Sequence, residues 1–212
     1  MREKEKMING LLYNPMQEDL FKRRMEIRRL VQDFNNCYVD EDSKRKTIMK
    51  KIFTNCKNID TAFFEQNIRI EYGYNIVFGK NFYMNYDCTL IDVCPITIGD
   101  NVMFGPRTML VTPMHPLDGE ERKIQDYPDG TYDIEYGKPI TIGNNVWLCS
   151  NVTIVGGVKI GNNCVIGSGS VVTRDIPDNS LAFGVPCRVI RKITEKDKLH
   201  VYQSYLKEQR ID

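Results

Sequence analysis

A mainly β protein, built as a three-sided parallel β-helix, is predicted by two features of this 212-residue sequence. One is a six-residue period of branched aliphatic side chains, and the other is a set of glycine and asparagine pairs placed to turn the chain. Stepping by six from Ile142 lands on Leu148, Ile154, Ile160, Ile166 and Val172. Four residues after each stand Val146, Val152, Val158, Cys164, Ser170 and Ile176, all small or β-branched. The same phase holds at Ile98, Phe104 and Leu110 and, after a two-residue shift, at Phe78, Met84 and Leu90, so the repeats run from about Phe78 to Pro177. A helix cannot use this period. Six residues make one short strand and one turn, and three such units close a triangular coil whose aliphatic residues stack inward on coils about 4.8 Å away. Gly143-Asn144-Asn145 and Gly161-Asn162-Asn163 supply corner residues that tolerate positive φ. An antiparallel sandwich with regularly spaced turns would not need so strict a phase.

The flanks read as helical. Between Asp19 and about Asn35, Leu20, Ile27, Leu30, Val31 and Phe34 are mostly three or four apart among Arg and Lys, the pattern of an amphipathic helix. Asp40-Glu41-Asp42-Ser43 is a capping signal ahead of a second helix over Thr47 to Phe53, so two or three short helices precede the repeats. Thr194-Glu195-Lys196-Asp197 introduces a last helix with Leu199, Tyr202, Tyr205 and Leu206 on one side. The expected organisation is a helical segment over residues 1–60, a β-helix over 61–190 with a loop inserted at about 112–139, and a C-terminal helix over 191–212.

Twenty-nine Lys and Arg against 28 Asp and Glu leave no global field to recruit nucleic acid or an anionic membrane. No run approaches the roughly 18 apolar residues of a membrane span, and the charged N-terminus leads into no apolar signal region. A soluble cytoplasmic protein is expected. Seven cysteines, an odd number with no CxxC, read as reduced core residues.

The one interruption of the period lies between Leu110 and Ile142 and holds Met114-His115-Pro116-Leu117-Asp118-Gly119. Loops of this length in a regular scaffold are usually functional or disordered. His115 is one of only two histidines. By composition alone a lone histidine is more often a satisfied surface residue than a catalyst.

The sequence resembles the hexapeptide-repeat O-acetyltransferases, and among them the maltose and galactoside acetyltransferases, with the maltose type nearest. The resemblance rests on Tyr72-Gly73-Tyr74-Asn75-Ile76, Asn81-Phe82-Tyr83-Met84-Asn85, Leu90-Ile91-Asp92-Val93-Cys94-Pro95, His115-Pro116-Leu117-Asp118, Gly137-Lys138-Pro139-Ile140, Gly143-Asn144-Asn145-Val146-Trp147 and Gly184-Val185-Pro186-Cys187-Arg188-Val189-Ile190. It extends to the opening Glu3-Lys4-Glu5-Lys6-Met7 and covers nearly the whole chain. It implies a left-handed coil, a homotrimer with sites between subunits, and transfer of acetyl from acetyl-CoA to a sugar hydroxyl with no metal and no covalent acyl-enzyme.

On that resemblance His115 is the general base, and Asn85, from a neighbouring subunit, positions the acceptor hydroxyl. A backbone N–H near Ser150 faces the developing oxyanion. Ser150 and Ser168 follow the pantetheine path, with Trp147 beside it or at the subunit interface. Thr173, Arg174, Arg188 and Arg191 hold the phosphate end. Arg24, Glu71, Asn85 and Asp92 face the sugar. Pro15 replaces a usual aspartate, Val93 stands where the galactoside type has a further aspartate, and the loop from Glu121 to Tyr136 is longer than the norm. These departures bear on maltose itself as acceptor. A transferase for an antibiotic or other xenobiotic hydroxyl is the alternative. An inert assembly module or a zinc carbonic anhydrase is the outside reading, and the latter needs three histidines where this chain has His115 and His200.

Overall fold

The structure, a computed structural model, describes residues 1–200. Its core is a solenoid of parallel strands in three faces. The first face stacks Phe63–Phe64, Tyr83–Met84, Met103–Phe104, Trp147–Leu148, Val165–Ile166 and Ser180–Gly184. The second stacks Arg69–Ile70, Thr89–Ile91, Met109–Val111, Thr153–Val155 and Val171–Val172. The third stacks Ile76–Phe78, Ile96–Ile98, Ile140–Ile142 and Lys159–Ile160.

The six-residue period becomes register. Met84 pairs with Phe104, Phe104 with Leu148 and Leu148 with Ile166, while Leu90, Leu110, Ile154 and Val172 follow one another on the second face. All of these residues are buried, each contributing about 1.5–3 kcal/mol by removal from water. Register passes directly from Phe104 to Leu148, so the inserted segment leaves the coil without disturbing the stack.

The corners divide their labour more finely than expected. Between the third and first faces Asn81, Asn101, Asn145, Asn163 and Asn179 adopt φ of 53 to 57°. Their amides form ladder bonds, Asn81 to Asn101 at 2.8 Å, Asn101 to Asn145 at 3.1 Å and Asn163 to Asn179 at 2.8 Å. The left-handed turn thus falls on asparagine, whose short polar side chain accepts it. Gly143 and Gly161 serve close approach instead: a Cβ on Gly143 would lie 2.8 Å from the Asn162 backbone nitrogen, and one on Gly161 2.6 Å from that of Asp178.

An open coil end exposes apolar side chains and strand edges, and both ends are closed. Helix α1 spans Glu3–Ile8, α2 spans Glu18–Asn35 and α3 spans Asp42–Ile52. The last begins at the acidic capping signal, five residues ahead of the expected start. Ile27, Val31 and Phe34 of α2 and Ile48, Met49 and Ile52 of α3 join the solenoid core. Beneath them an aromatic layer links Phe53 to Phe64 and Phe78, and Phe82 to Phe78 and Phe104, with centroids 5.0–5.5 Å apart. At the other end Cys187–Lys192 folds back antiparallel on Ser180–Gly184. Beyond it only a 3₁₀ turn, Glu195–Asp197, precedes His200, and Tyr202, Tyr205 and Leu206 of the expected last helix lie outside the described residues. No described helix is long and apolar enough to cross a membrane. All seven cysteines are free, five of them buried.

The insertion is ordered by its own bonds. Tyr136–Gly137 pairs antiparallel with Pro113–Met114 at its base. Asp118 caps the short helix Gly119–Arg122 by accepting from the Glu120 and Glu121 N–H groups at 2.9 and 3.2 Å. A hairpin, Gln125–Tyr127 with Gly130–Tyr132, stacks the Tyr127 and Tyr132 rings 4.5 Å apart.

Leu148→Ala is expected to lower unfolding free energy by about 2–5 kcal/mol, because the stack cannot collapse around the missing volume. Gly143→Ala should also destabilise clearly, whereas Gly119→Ala, whose nearest neighbour is the Arg122 side chain at 4.0 Å, should be nearly silent. Denaturant titration of the three variants checks this order.

Candidate active site

The site residues predicted within the coils sit at corners, apart from Trp147 on the first face and Arg188 on the returning strand Cys187–Lys192, and the corners separate them into two sets. Between the second and third faces come Glu71 after Arg69–Ile70, Asp92 after Thr89–Ile91, the insertion with His115 after Met109–Val111, and Thr173-Arg174 after Val171–Val172. Between the first and second faces come Asn85 after Tyr83–Met84, Ser150 after Trp147–Leu148 and Ser168 after Val165–Ile166. Trp147 projects from the first face and is 47% exposed. Within one chain, His115 and Asn85 leave the coil at different corners.

His115 is held by the base of its loop. Its Nδ1 lies 3.3 Å from the Ile134 carbonyl oxygen and 4.0 Å from Asp133 Oδ2, and its Nε2 lies 3.5 Å from Glu135 Oε1. The ring is 37% exposed, so it is reachable while its orientation is constrained. A carbonyl can only accept, which favours the proton on Nδ1 and leaves Nε2 as the basic nitrogen. Burial pushes the Glu135 carboxyl up, while the Tyr13 hydroxyl, His115 and Arg24 pull it down. Glu135 accepts a hydrogen bond from the Tyr13 hydroxyl, and the two residues also form an antiparallel backbone bridge.

The N-terminal helices reach the same corner. Arg24 of α2 lies 3.8 Å from Glu71 and donates to the Tyr72 hydroxyl at 3.4 Å, and Arg28 lies 3.7 Å from the same Glu71 oxygen. The Tyr13 hydroxyl is pushed up by burial first and by Glu135 next, with Tyr72 adding and Arg24 opposing. Arg24, Glu71 and His115 are therefore joined through the buried tyrosines Tyr13 and Tyr72.

Asp92, expected to face the sugar, is fully buried. Its carboxylate accepts the backbone N–H groups of Tyr72 at 2.8 Å and Asn75 at 3.3 Å, while its carbonyl accepts from the Asn75 amide at 2.7 Å. This corrects the expectation: the corner turn encloses the carboxylate and ties each of its oxygens to a backbone N–H, so it does not face a ligand. Burial pushes its carboxyl up to about 7 against those N–H donors.

Among the residues expected to meet acetyl-CoA, Ser150, Ser168, Thr173, Arg174 and Arg188 are exposed. Arg191 is engaged within the chain, donating to Asp197 through Nη1 at 2.9 Å and Nη2 at 2.6 Å. Its guanidinium holds the Asp197 carboxyl down at about 2. Arg174 and Arg188 thus remain the better-presented cations for a phosphate end, and the donor set fits an anionic, elongated ligand. Among the described residues no three His, Cys, Asp or Glu side chains converge as metal ligands.

Two family descriptions match the chain: the maltose acetyltransferase hexapeptide capping motif over residues 6–57 and the bacterial transferase hexapeptide, six repeats, over residues 139–174. The galactoside O-acetyltransferase of Escherichia coli K12 is 41% identical over 201 residues, covering 95% of this chain and 94% of that protein. The chain belongs to the maltose and galactoside O-acetyltransferase family. Two solved members extend the likeness to the backbone. A maltose O-acetyltransferase from Clostridium difficile 630 superposes with a TM-score of 0.83 at 48% identity, covering 92% of this chain and 99% of that one. A galactoside acetyltransferase in complex with coenzyme A superposes with a TM-score of 0.85 at 40% identity, covering 100% and 99%.

For this member of the maltose and galactoside O-acetyltransferase family, sequence reasoning missed Glu135 and Tyr13. Glu135 lies inside the segment set aside as a long loop, and Tyr13 is 122 positions away from it. The only sequence signal was a cluster of acidic residues near the loop's return to the coil.

The folded carboxyl of Asp92 lies above its usual range, so its proton-linked stabilisation is complete near pH 4 and is lost as pH rises through about 7. Wild type is expected to lose stability relative to Asp92→Asn across that window. Paired unfolding titrations from pH 4 to 8 measure the slope, and parallel curves would rule it out.

Proposed function

We propose that this chain is an acetyl-CoA-dependent O-acetyltransferase acting on a sugar hydroxyl, with sites completed between subunits of a homotrimer. The observation that carries the reading is His115, whose Nδ1 faces a backbone carbonyl and whose Nε2 faces a carboxylate, on the corner that also bears Glu71, Thr173 and Arg174. Its relatives' activities supply the reaction class, since one relative is a galactoside O-acetyltransferase, another a maltose O-acetyltransferase, and one is complexed with coenzyme A.

In this mechanism His115 Nε2 takes the proton of the acceptor hydroxyl as that oxygen attacks the thioester carbonyl carbon. Glu135 stabilises the imidazolium so formed. The Ser150 N–H faces the oxygen on which negative charge develops. As the carbon–sulfur bond breaks, His115 returns its proton to the departing sulfur, so transfer is direct. Ser168 and Trp147 flank the pantetheine arm, and Thr173, Arg174 and Arg188 meet the phosphates, with Arg191 braced by Asp197. Asn85 orients the acceptor, and Arg24 and Glu71 bind its other hydroxyls.

Two features support the trimer. His115 and Asn85 leave successive coils at different corners, so a site containing both needs two chains. The first face carries an outward apolar ladder, Phe63, Tyr83, Met103, Trp147, Val165 and Leu181, in unbroken register. The third face instead carries Val77, Thr97, Thr141 and Lys159. A continuous apolar strip, exposed at Phe63, Met103 and Trp147 and half-buried at Tyr83, Val165 and Leu181, marks an interaction surface. In this arrangement residues 1–60 close one end and supply Arg24, residues 61–190 carry the catalytic corners, and residues 191–212 follow the last strand. Seven unpaired thiols suit the reducing cytoplasm.

An acceptor panel read by free-thiol release is expected to show turnover with saccharides, and a panel answered only by a drug hydroxyl would replace sugar by a xenobiotic. His115→Ala should lower kcat about 10²- to 10⁴-fold with the fold intact by circular dichroism. Co-refolding His115→Ala with Asn85→Ala chains should restore activity toward about a quarter of wild type, the share of native sites from random association into trimers. No recovery on mixing would place each site within a single chain.

A further inference from the structure

Both neighbours of the His115 ring can only accept. The Ile134 carbonyl lies 3.3 Å from Nδ1 and the Glu135 carboxylate 3.5 Å from Nε2, yet a neutral imidazole has one N–H to give. If Glu135 took that proton, Nε2 would be blocked as a base. The carboxylate carries full charge and would ordinarily outcompete a peptide carbonyl.

What restrains Glu135 is Tyr13. The tyrosine is fully buried and donates its hydroxyl to Oε2, the oxygen turned away from the ring. Its backbone is tied to that of Glu135 by a bond from Tyr13 N–H to the Glu135 carbonyl at 2.9 Å and a return bond at 3.3 Å. The other charged or titratable groups facing Glu135 are Asp133, which repels its charge, Arg24, which attracts it, and the Tyr72 hydroxyl, which its charge holds protonated. Asp133, 4.0 Å from Nδ1, adds to the preference for a proton on that nitrogen.

We infer that Tyr13 is a positioning residue that selects the reactive histidine tautomer: by anchoring Glu135 through its far oxygen, it keeps the carboxylate close enough to stabilise an imidazolium but unable to capture the proton of the neutral ring. The device joins the N-terminal segment to the catalytic loop, so the segment after α1 has a catalytic consequence as well as a packing one. The inference rests on His115 being the base.

The test reads the tautomer directly. The chain has only two histidines, so ¹⁵N-labelled imidazole signals of His115 can be assigned by comparison with His200→Gln. In the wild type at a pH where the ring is neutral, the proton is expected on Nδ1. In Tyr13→Phe, which keeps the ring that packs, the population should move toward Nε2–H, and kcat should fall about 10- to 100-fold with the KM for acetyl-CoA nearly unchanged. In the Glu135→Gln background, Tyr13→Phe should add less than about a twofold effect, since the carboxylate charge that it restrains is gone. A wild-type ring already protonated on Nε2, an unchanged tautomer in Tyr13→Phe, or an equal loss in the Glu135→Gln background would overturn the inference. The first of these needs no substitution beside His115, only His200→Gln for assignment, and none of the spectra needs an acceptor, so failure to find a sugar substrate would count against the functional reading alone.

Discussion

In-register pairing of successive coils is the constraint on which everything else in this protein depends. Each corner lies directly above the one before because Met84, Phe104, Leu148 and Ile166 occupy equivalent positions on one face and Leu90, Leu110, Ile154 and Val172 on another. A slip of one residue would turn every inward aliphatic outward. Corners can then carry polar side chains in straight columns, which is why Glu71, the His115 loop and Arg174 share one edge although a hundred residues separate the first from the last. The backbone ladder aligns the chemistry and the apolar stack holds the ladder.

A second constraint is the cost of burying charge. Around the His115 corner, Glu135 and Asp92 are drawn out of water, and each is met by donors: the Tyr13 hydroxyl for the first and two backbone N–H groups for the second. Their different enclosure, complete for Asp92 and partial for Glu135, leads to opposite roles. Asp92 is enclosed and completes a turn, whereas Glu135 keeps one oxygen facing a histidine that remains accessible. An unpaired buried carboxylate would be expensive, so the two partners define what each acid can do.

The helical segment before the coil links stability to the site. Its apolar residues seal the first coil, and the same segment sends Arg24 to Glu71 and Tyr72 and sends Tyr13 to Glu135. Sealing the core and arranging the polar corner are thus done by one packed layer, with Arg24 on the same side of α2 as Leu20, Ile27 and Val31. A change that loosens α2 would disturb both.

The sequence by itself determined the coil, because a period of six is local information that survives without knowledge of distant contacts. Ile142 through Val172, the asparagine corners and the place where the chain departs near Leu110 could all be read from spacing. His115 could be singled out as the histidine on the interruption, and the α2 helix from its three-and-four pattern. Only the tertiary structure decided that Asp92 is enclosed, that Arg191 is bound to Asp197, and that Asn85 and His115 stand on different corners. It alone brought Tyr13 to Glu135. Periodicity reports which side of a strand is buried, but the partner of a polar side chain depends on how the inserted loop and the N-terminal segment fold against each other. Those contacts join residues more than a hundred positions apart and leave no repeat behind.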